Sequence, residues 1–525
     1  MRRSVWGVVM LAVSASPVAA QRPAAAGDPS ARAVRDVVGA WRQAHEHAIV
    51  AELVELLAIP NLARDSTNIR RNAARLVAML ERRGFAARQL EAPLSPPAVF
   101  GELRVPGATR TIVFYAHYDG QPVDPAEWRS APWQPTLRDG LLQAGAREVP
   151  WPAAGQPFDP ESRIYARSAS DDKAPIVALL AALDALRERR ISLSVNLKVF
   201  LEGEEEAGSP HLRAMLERHA DLLRADVWIF ADGPVHQSRR PQVVFGARGT
   251  MGFHLTVYGP LRPLHSGHYG NWAPNPGVQL AHLITTMRDP DGRVSIEGFY
   301  ADVRPATDAE RRAIAAVPPV DDAIRGELGL AATEAGNAPL LERLMLPALN
   351  VHGLEMARVG AGAANVIPTS ATAAFGIRLV PDQTPARMRE LLLAHLVRQG
   401  WHVVDAEPDL ATRRRYPKIV RAAFGGGGYP ANRTALDAPA AEALLRALEP
   451  ALDAPLIRVP TSGGSLPLYH FTEVLGAPLI SLPIVNHDNN QHGADENLRL
   501  RNLWDGIELF GVLLARLGRE WRDPS

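Results

Sequence analysis

The sequence predicts an α/β fold, a mostly parallel sheet with helices on both faces, interrupted by an inserted α+β domain. Three observations predict it. From about residue 84 to residue 244, strand-like apolar runs alternate with helical patterns, the mark of parallel strands joined by crossover helices. That alternation breaks off near Phe245 and resumes after the glycine run Gly425–Gly428, so a second unit splits the first. A chain of 525 residues is also too long for one core and calls for two or three domains.

The elements follow in order. Arg2 and Arg3, the short apolar run Val5–Val13 and the small residues Val18-Ala19-Ala20 form an export signal with its cleavage site. The run, broken by Ser14, Ser16 and Pro17, is too short to span a membrane. Residues 1–20 are therefore expected to be a removed signal peptide, the protein exported to the periplasm or secreted, and residues 21–30 a flexible leader. The catalytic domain is expected over 31–244 and 429–525, with 245–428 inserted. In its first part, Ala73–Arg83 is a helix stopped by Gly84. Thr111–Ala116, Ser194–Leu201 and Val227–Ala231 are strands. Ala174–Arg190 is a helix, rich in Ala and Leu with arginines in its last turn. Between Leu141 and Arg163 there is no periodicity, and Pro, Gly and Ala dominate. A loop this long beside the site is usually functional or mobile. In the insert, Phe253–Tyr258 and Thr372–Val380 read as strands, Pro276–Met287 and Pro385–Arg398 as helices. Helix Ala438–Leu448 and strand Pro478–Ile484 resume the α/β pattern.

Composition narrows the function. An apolar fraction of 46% with 22% charged residues is that of an ordinary globular protein. A formal net charge of zero argues against a nucleic-acid partner held through phosphates. The absence of cysteine excludes thiolate zinc sites, disulfides and a cysteine nucleophile.

What remains is a set of acids and histidines at strand ends, where open α/β sheets collect ligands. His117-Tyr118-Asp119 follows the first strand, and its outer side chains share a side, so Asp119 can fix the His117 tautomer. Alone, such a pair is more often a surface pair. Asp171-Asp172 precedes a helix, either as acids favoured in a first turn or as a carboxylate between two metal ions. Glu204-Glu205-Glu206 follows the second strand. It is either a solvated charge run or a cluster neutralised by a cation, with Glu205 and Glu206 pointing apart, one to bind metal and one to handle a proton. Asp232 follows the third strand, and His487 and His492 lie after the fourth. Hard carboxylate oxygens with imidazole suit zinc, manganese or cobalt.

Taken in order, the stretches 116–119, 170–173, 202–209, 231–232 and 492–497 resemble the co-catalytic zinc peptidases. That family includes carnosinase-type dipeptidases, glutamate carboxypeptidase, acetylornithine deacetylase and aminoacylase. Gly120–Pro125, Leu264–Gly270, Val366–Pro368 and Ile377–Pro381 are more similar to the dipeptidase branch.

The resemblance implies two divalent ions, zinc or else manganese or cobalt. One would be held by His117, Asp171 and Asp232, the other by Asp171, Glu206 and His492, with Asp171 bridging. It implies Glu205 as general base, Asp119 orienting His117, and a cis peptide bond between Asp171 and Asp172. It also implies that the insert is a lid or dimerisation domain, with His265 stabilising the oxyanion in trans from a homodimer partner, Arg378 holding the substrate's C-terminal carboxylate, and Asn365 and Ser465 assisting. The chain departs from relatives in a longer stretch between His117 and Asp171, in Ala174 where glycine is usual, and in Thr461-Ser462 before Gly463-Gly464-Ser465 where Arg-Glu is usual. These departures bear on the substrate. The expectation is a hydrolase of dipeptides or short peptides with a free C-terminus. An N-acyl-amino-acid deacylase is the alternative, and a non-catalytic binding protein the remote one.

Overall fold

The computed structural model describes residues 29–522, so the export signal and nearly all of the leader lie outside the described residues. The catalytic domain is built on an eight-stranded sheet. In spatial order its strands are Ala86–Leu90, Ala98–Leu103, Asn196–Glu202, Thr111–His117, Val227–Phe230, Leu479–Ser481, Gln242–Val244 and Ile457–Val459. The four from Asn196–Glu202 to Leu479–Ser481 run parallel, and antiparallel pairs occur only toward the edges.

Strand alternation splits the core between two faces. Ile112, Phe114 and Ala116 pack with the helices Ala31–Leu57, Lys173–Glu188, Pro439–Leu448 and Leu500–Glu520. Val113 and Tyr115, from the same strand, pack with Leu212–Arg218 and Leu468–Leu475. Each large apolar side chain so buried contributes about 1.5–3 kcal/mol. The first helix starts where the Ser30 hydroxyl accepts from Ala33 N. The helix read as Ala73–Arg83 begins earlier, at Ser66, because Asp65 caps it by accepting from Asn68 N.

The insert carries a five-stranded sheet ordered Ala348–Glu355, Ser370–Leu379, Gly249–Tyr258, Ile419–Phe424 and His402–Val404. Helices Pro276–Met287 and Pro385–Arg398 pack on it through Leu280, Leu283, Met388 and Leu392. Each helix begins at a proline behind a side-chain cap, Asn275 and Thr384 respectively. The insert folds back on the catalytic domain through Val317 and Leu341, which pack against Val244, Ile457 and Val459. The Glu310–Arg433 ion pair is buried.

The two chain crossings between the domains lie against each other. Gly246 and Ala247 pair with Arg433 and Asn432, and Thr250 pairs with Tyr429. A Cβ on Gly246 or Gly249 would run into the Asn432 or Tyr429 carbonyl, so only glycine permits the approach.

The 141–163 segment departs from its expected place beside the site. It packs on the first helix instead, where Phe158 N donates to Glu46 and His47 bonds the Gln156 carbonyl. The His47 and Phe158 rings meet at 5.0 Å. These contacts fasten it to the first helix, and none of its residues lines the cavity that holds Asp171, Glu205, Asp232 and His492.

Candidate metal centre and substrate cleft

Parallel register brings the strand ends together. His117 is opposite Glu202, and Tyr115 is opposite Phe230, so the acids that follow the second and third strands arrive beside His117. Asp171 enters from the start of the Lys173–Glu188 helix, through an Asp171–Asp172 peptide bond that is cis. His492 arrives on the loop after Leu479–Ser481.

Ligand atoms of His117, Asp171 and Glu206 all lie within 4.8 Å of one another. Asp171 divides its oxygens, with Oδ1 2.9 Å from His117 Nε2 and Oδ2 3.3 Å from His492 Nε2. His492 Nε2 is also 3.3 Å from Glu206 Oε2. Asp232 and Glu205 share with Asp171 and His492 a cavity of about 360 Å³. Behind His117, Asp119 Oδ1 stands 3.5 Å from Nδ1. The fully buried Asp119 also accepts from Glu205 N at 3.1 Å and Glu206 N at 3.0 Å, fixing the turn that carries the two acids.

Charge in this cluster is unbalanced. Burial, with Asp171 next to it, pushes the Glu206 carboxyl up to about 8. Burial and Asp171 push Asp232 up to about 6. Glu205, buried among Asp232, Glu206 and Asp119, is raised well above the carboxylate range. Burial opposes protonation of His117, yet its hydrogen bonds to Asp119 and Asp171 hold it well above the usual imidazole value. So many acids converge here that only a positive charge would let them ionise together, and imidazole plus carboxylate donors fit divalent zinc, manganese or cobalt.

Several residues to which the sequence reading assigns no role complete the site. Glu496, fully buried, accepts from Ser168 N, Ser170 N and Asp171 N and pairs with Arg167 at 2.8 Å, thereby shaping the turn that presents Asp171. Gln121 donates to Glu206 Oε2 at 2.8 Å, and Gln491 to Asp171 Oδ2 at 3.3 Å. Gln121 falls inside the Gly120–Pro125 stretch, as Glu496 falls inside 492–497, and Gln491 adjoins His492, which is the signal that could have found them. Arg248 and Tyr429 carry no sequence signal at all.

The substrate-side residues fall in two places. Ser465 lines the catalytic cavity and accepts a hydrogen bond from Arg378 Nη1. Arg378 is opposite Thr250, which in turn pairs with Tyr429, so all three sit in one cross-strand row near the domain crossing. His265 and Asn365 lie at the other end of the insert. Ser266 N donates to the Asn365 carbonyl at 2.9 Å, and His265 pairs with Val366. At about 3.4 Å per residue, the ten-residue strand between these ends separates them by about 30 Å. Both side chains are exposed, and neither lines the cavity that holds the acids.

A model of peptidase family M20/M25/M40 matches residues 113–516. The Cys-Gly metallodipeptidase dug1 of Schizosaccharomyces pombe is 26% identical over 453 residues, 84% of this chain and 88% of that protein. The human Beta-Ala-His dipeptidase is 26% identical over 434 residues, 81% of this chain and 78% of its own length. Among solved structures, the metallo-carboxypeptidase Sso-CP2 from Sulfolobus solfataricus superposes with a TM-score of 0.72 at 29% identity, covering 90% of this chain and 99% of that one. Human carnosine dipeptidase 1 shares the fold, with a TM-score of 0.69 at 23% identity over 93% of this chain and 99% of that one.

Proposed function

The chain belongs to peptidase family M20/M25/M40, and from that premise we propose that it hydrolyses dipeptides or short peptides bearing a free C-terminal carboxylate, with two divalent cations. The observation that carries this reading is the division of the Asp171 carboxylate between His117 on one side and His492 with Glu206 on the other. One cation would be held by His117, Asp171 and Asp232, the other by Asp171, Glu206 and His492. Bound there, they supply Lewis acidity toward the scissile carbonyl and acidify the attacking water.

The rest is done by the chain. Glu205, which lines the cavity and whose carboxylate has no hydrogen-bond partner among the described residues, takes the proton of the water and returns it to the leaving amine. Asp119 holds the His117 ring and the Glu205 amide in place. Arg378, braced on Ser465, binds the substrate carboxylate with its planar fork. His265 stabilises the oxyanion from a second copy of the chain, with Asn365 assisting. Its distance from its own cavity supports this, as does the exposed edge strand Ala348–Glu355. Leu354 is 67% exposed and Val359, just beyond, 88%, an apolar edge suited to burial between two inserted domains. Zinc is the preferred ion, and the N-terminal pattern supports export to the periplasm or beyond. Among the described residues no helix is long and apolar enough to cross a membrane.

Product analysis by mass spectrometry on metal-loaded protein tests the function. The panel holds free dipeptides, the same dipeptides amidated at the C-terminus, and N-acetyl amino acids. Cleavage of the free dipeptides alone is expected. Cleavage of N-acetyl amino acids in their place would make the enzyme a deacylase.

A further inference from the structure

The proposed reaction requires one cation for the substrate's terminal carboxylate, and Arg378 provides it. A second stands on the turn that borders the cavity. Arg248 lies two residues before Thr250 along an extended segment, so it shares the face on which Thr250 and Arg378 stand opposite each other. Long side chains at such diagonal positions reach one another. The two guanidiniums flank a single turn. Arg248 donates to the Gly463 carbonyl from Nη2 at 3.1 Å and from Nε at 3.3 Å, and Arg378 donates to the Ser465 hydroxyl. Gly464 and Ser465, in the same turn, line the catalytic cavity.

Several arginines buried elsewhere meet acids, although the half-buried Arg240 and Arg421 show no carboxylate partner among the described residues. Arg83 meets Glu52 and Asp184, Arg163 and Arg499 meet Asp488, Arg167 meets Glu496, and Arg433 meets Glu310. Arg248 and Arg378 are half-buried, and among the described residues neither pairs with a carboxylate. Burial first, and the Arg378 charge after it, push the Arg248 guanidinium down to about 10. A single terminal carboxylate would leave half of that charge unanswered.

We propose that Arg248 and Arg378 together form a subsite for two carboxylates, so that the favoured substrates end in aspartate or glutamate. This rests on the peptidase reading above and adds the side chain that the cleft selects.

The test compares kcat/KM for Ala-Glu against Ala-Gln and for Ala-Asp against Ala-Asn, pairs that differ in charge and hardly in shape. Wild-type enzyme is expected to favour the acidic member by on the order of 10–100-fold, the range of a charge-assisted hydrogen bond, with the preference weakening as salt rises. Arg248→Met should bring the ratio close to one, and Arg248→Lys should keep part of it. A ratio is unaffected by partial misfolding, which lowers both rates alike. Equal cleavage of Ala-Glu and Ala-Gln by wild type would overturn the subsite, as would an undiminished preference in Arg248→Met, which would leave Arg248 a brace for the Gly463 turn. Calorimetric binding of glutamate against glutamine poses the same question without turnover. Tighter glutamate binding that is lost in Arg248→Met sustains the subsite even if no dipeptide is cut, and then it is the peptidase substrate reading that falls. Equal binding removes the subsite whichever bond the enzyme cleaves.

Discussion

Replacing Glu496 by glutamine keeps the shape of the side chain and removes its charge. Four donors point at the carboxylate: Ser168 N at 2.8 Å, Ser170 N and Asp171 N at 2.9 Å, and Arg167 Nη1 at 2.8 Å. Each oxygen takes two of them. An amide offers one oxygen, so two donors would face an NH2 group, at about 1–3 kcal/mol for each unsatisfied buried group. Arg167, whose side chain is 2% exposed, would keep its bond to the Gly493 carbonyl and its place over the Trp128 ring but lose its counter-charge. Breaking a buried pair in this way costs about 3–5 kcal/mol. The two figures describe the same loss and do not add, so Glu496→Gln should destabilise the catalytic domain by about 3–5 kcal/mol. Because the same turn presents Asp171, divalent-ion affinity should fall about 10–100-fold. Urea denaturation followed by tryptophan fluorescence, with calorimetric zinc titration, measures both. A loss below about 1 kcal/mol would refute the reasoning, and so would full destabilisation with unchanged zinc affinity.

Glu205→Gln should retain metal and fold while kcat drops roughly 10²–10⁴-fold. His265→Ala should lose on the order of 10²–10³ in kcat, and mixing the two inactive variants should restore activity if the histidine acts across a dimer; none restored after subunit exchange rejects that arrangement. Chelation should abolish turnover, and zinc at 100 times its Kd should stabilise the protein by about 2.7 kcal/mol, read as a shift in Tm that an ion-free cluster would not show. Asp488 gives a pH prediction. Although burial opposes it, Arg163, Asn486 and Arg499 hold its carboxyl well below the usual range. Its contribution is complete above the unfolded value of 3.8 and is lost as pH falls below that toward the folded value. Asp488→Asn should therefore lower stability at neutral pH and flatten the acid limb of the stability curve, by at most about 1.4 kcal/mol per pH unit; an unchanged limb would mean the pair is not formed.

Local pattern carried much of this molecule. The strands ending at His117 and Glu202 and the helices from Pro276 and Pro385 are readable because alternation, proline starts and side-chain caps act within a few residues. The acids and histidines gathered around Asp171 are readable because parallel strands deliver their C-terminal residues to one edge. What the sequence hides is set by long-range partners. The Glu496–Arg167 pair joins residues more than 300 positions apart, and nothing near either one announces the other. Arg248 and Tyr429 acquire meaning only from the cross-strand row that they share with Arg378. The place of the 141–163 segment is hidden for the same reason, since its fastening to Glu46 and His47 on the first helix leaves no trace in its own composition.

The glycine-pinned crossing at Gly246 and Gly249 gives the insert a fixed pivot, and residues stand at very different radii from it. Arg378 is one position from the near end of its strand, whereas His265 lies beyond the far end, about 30 Å out. A rotation of about 10° would carry His265 about 5 Å and shift Arg378 by less than about 1 Å. In the proposed roles of Arg378 and His265, such gearing would let the cleft grip a carboxylate over a range of angles of the insert, while the distant histidine would come into register at only one of them. Capture of the substrate and commitment to its cleavage would then be separable events, and a spectroscopic label intended to follow the second belongs at the rim near Val359, not at the grip.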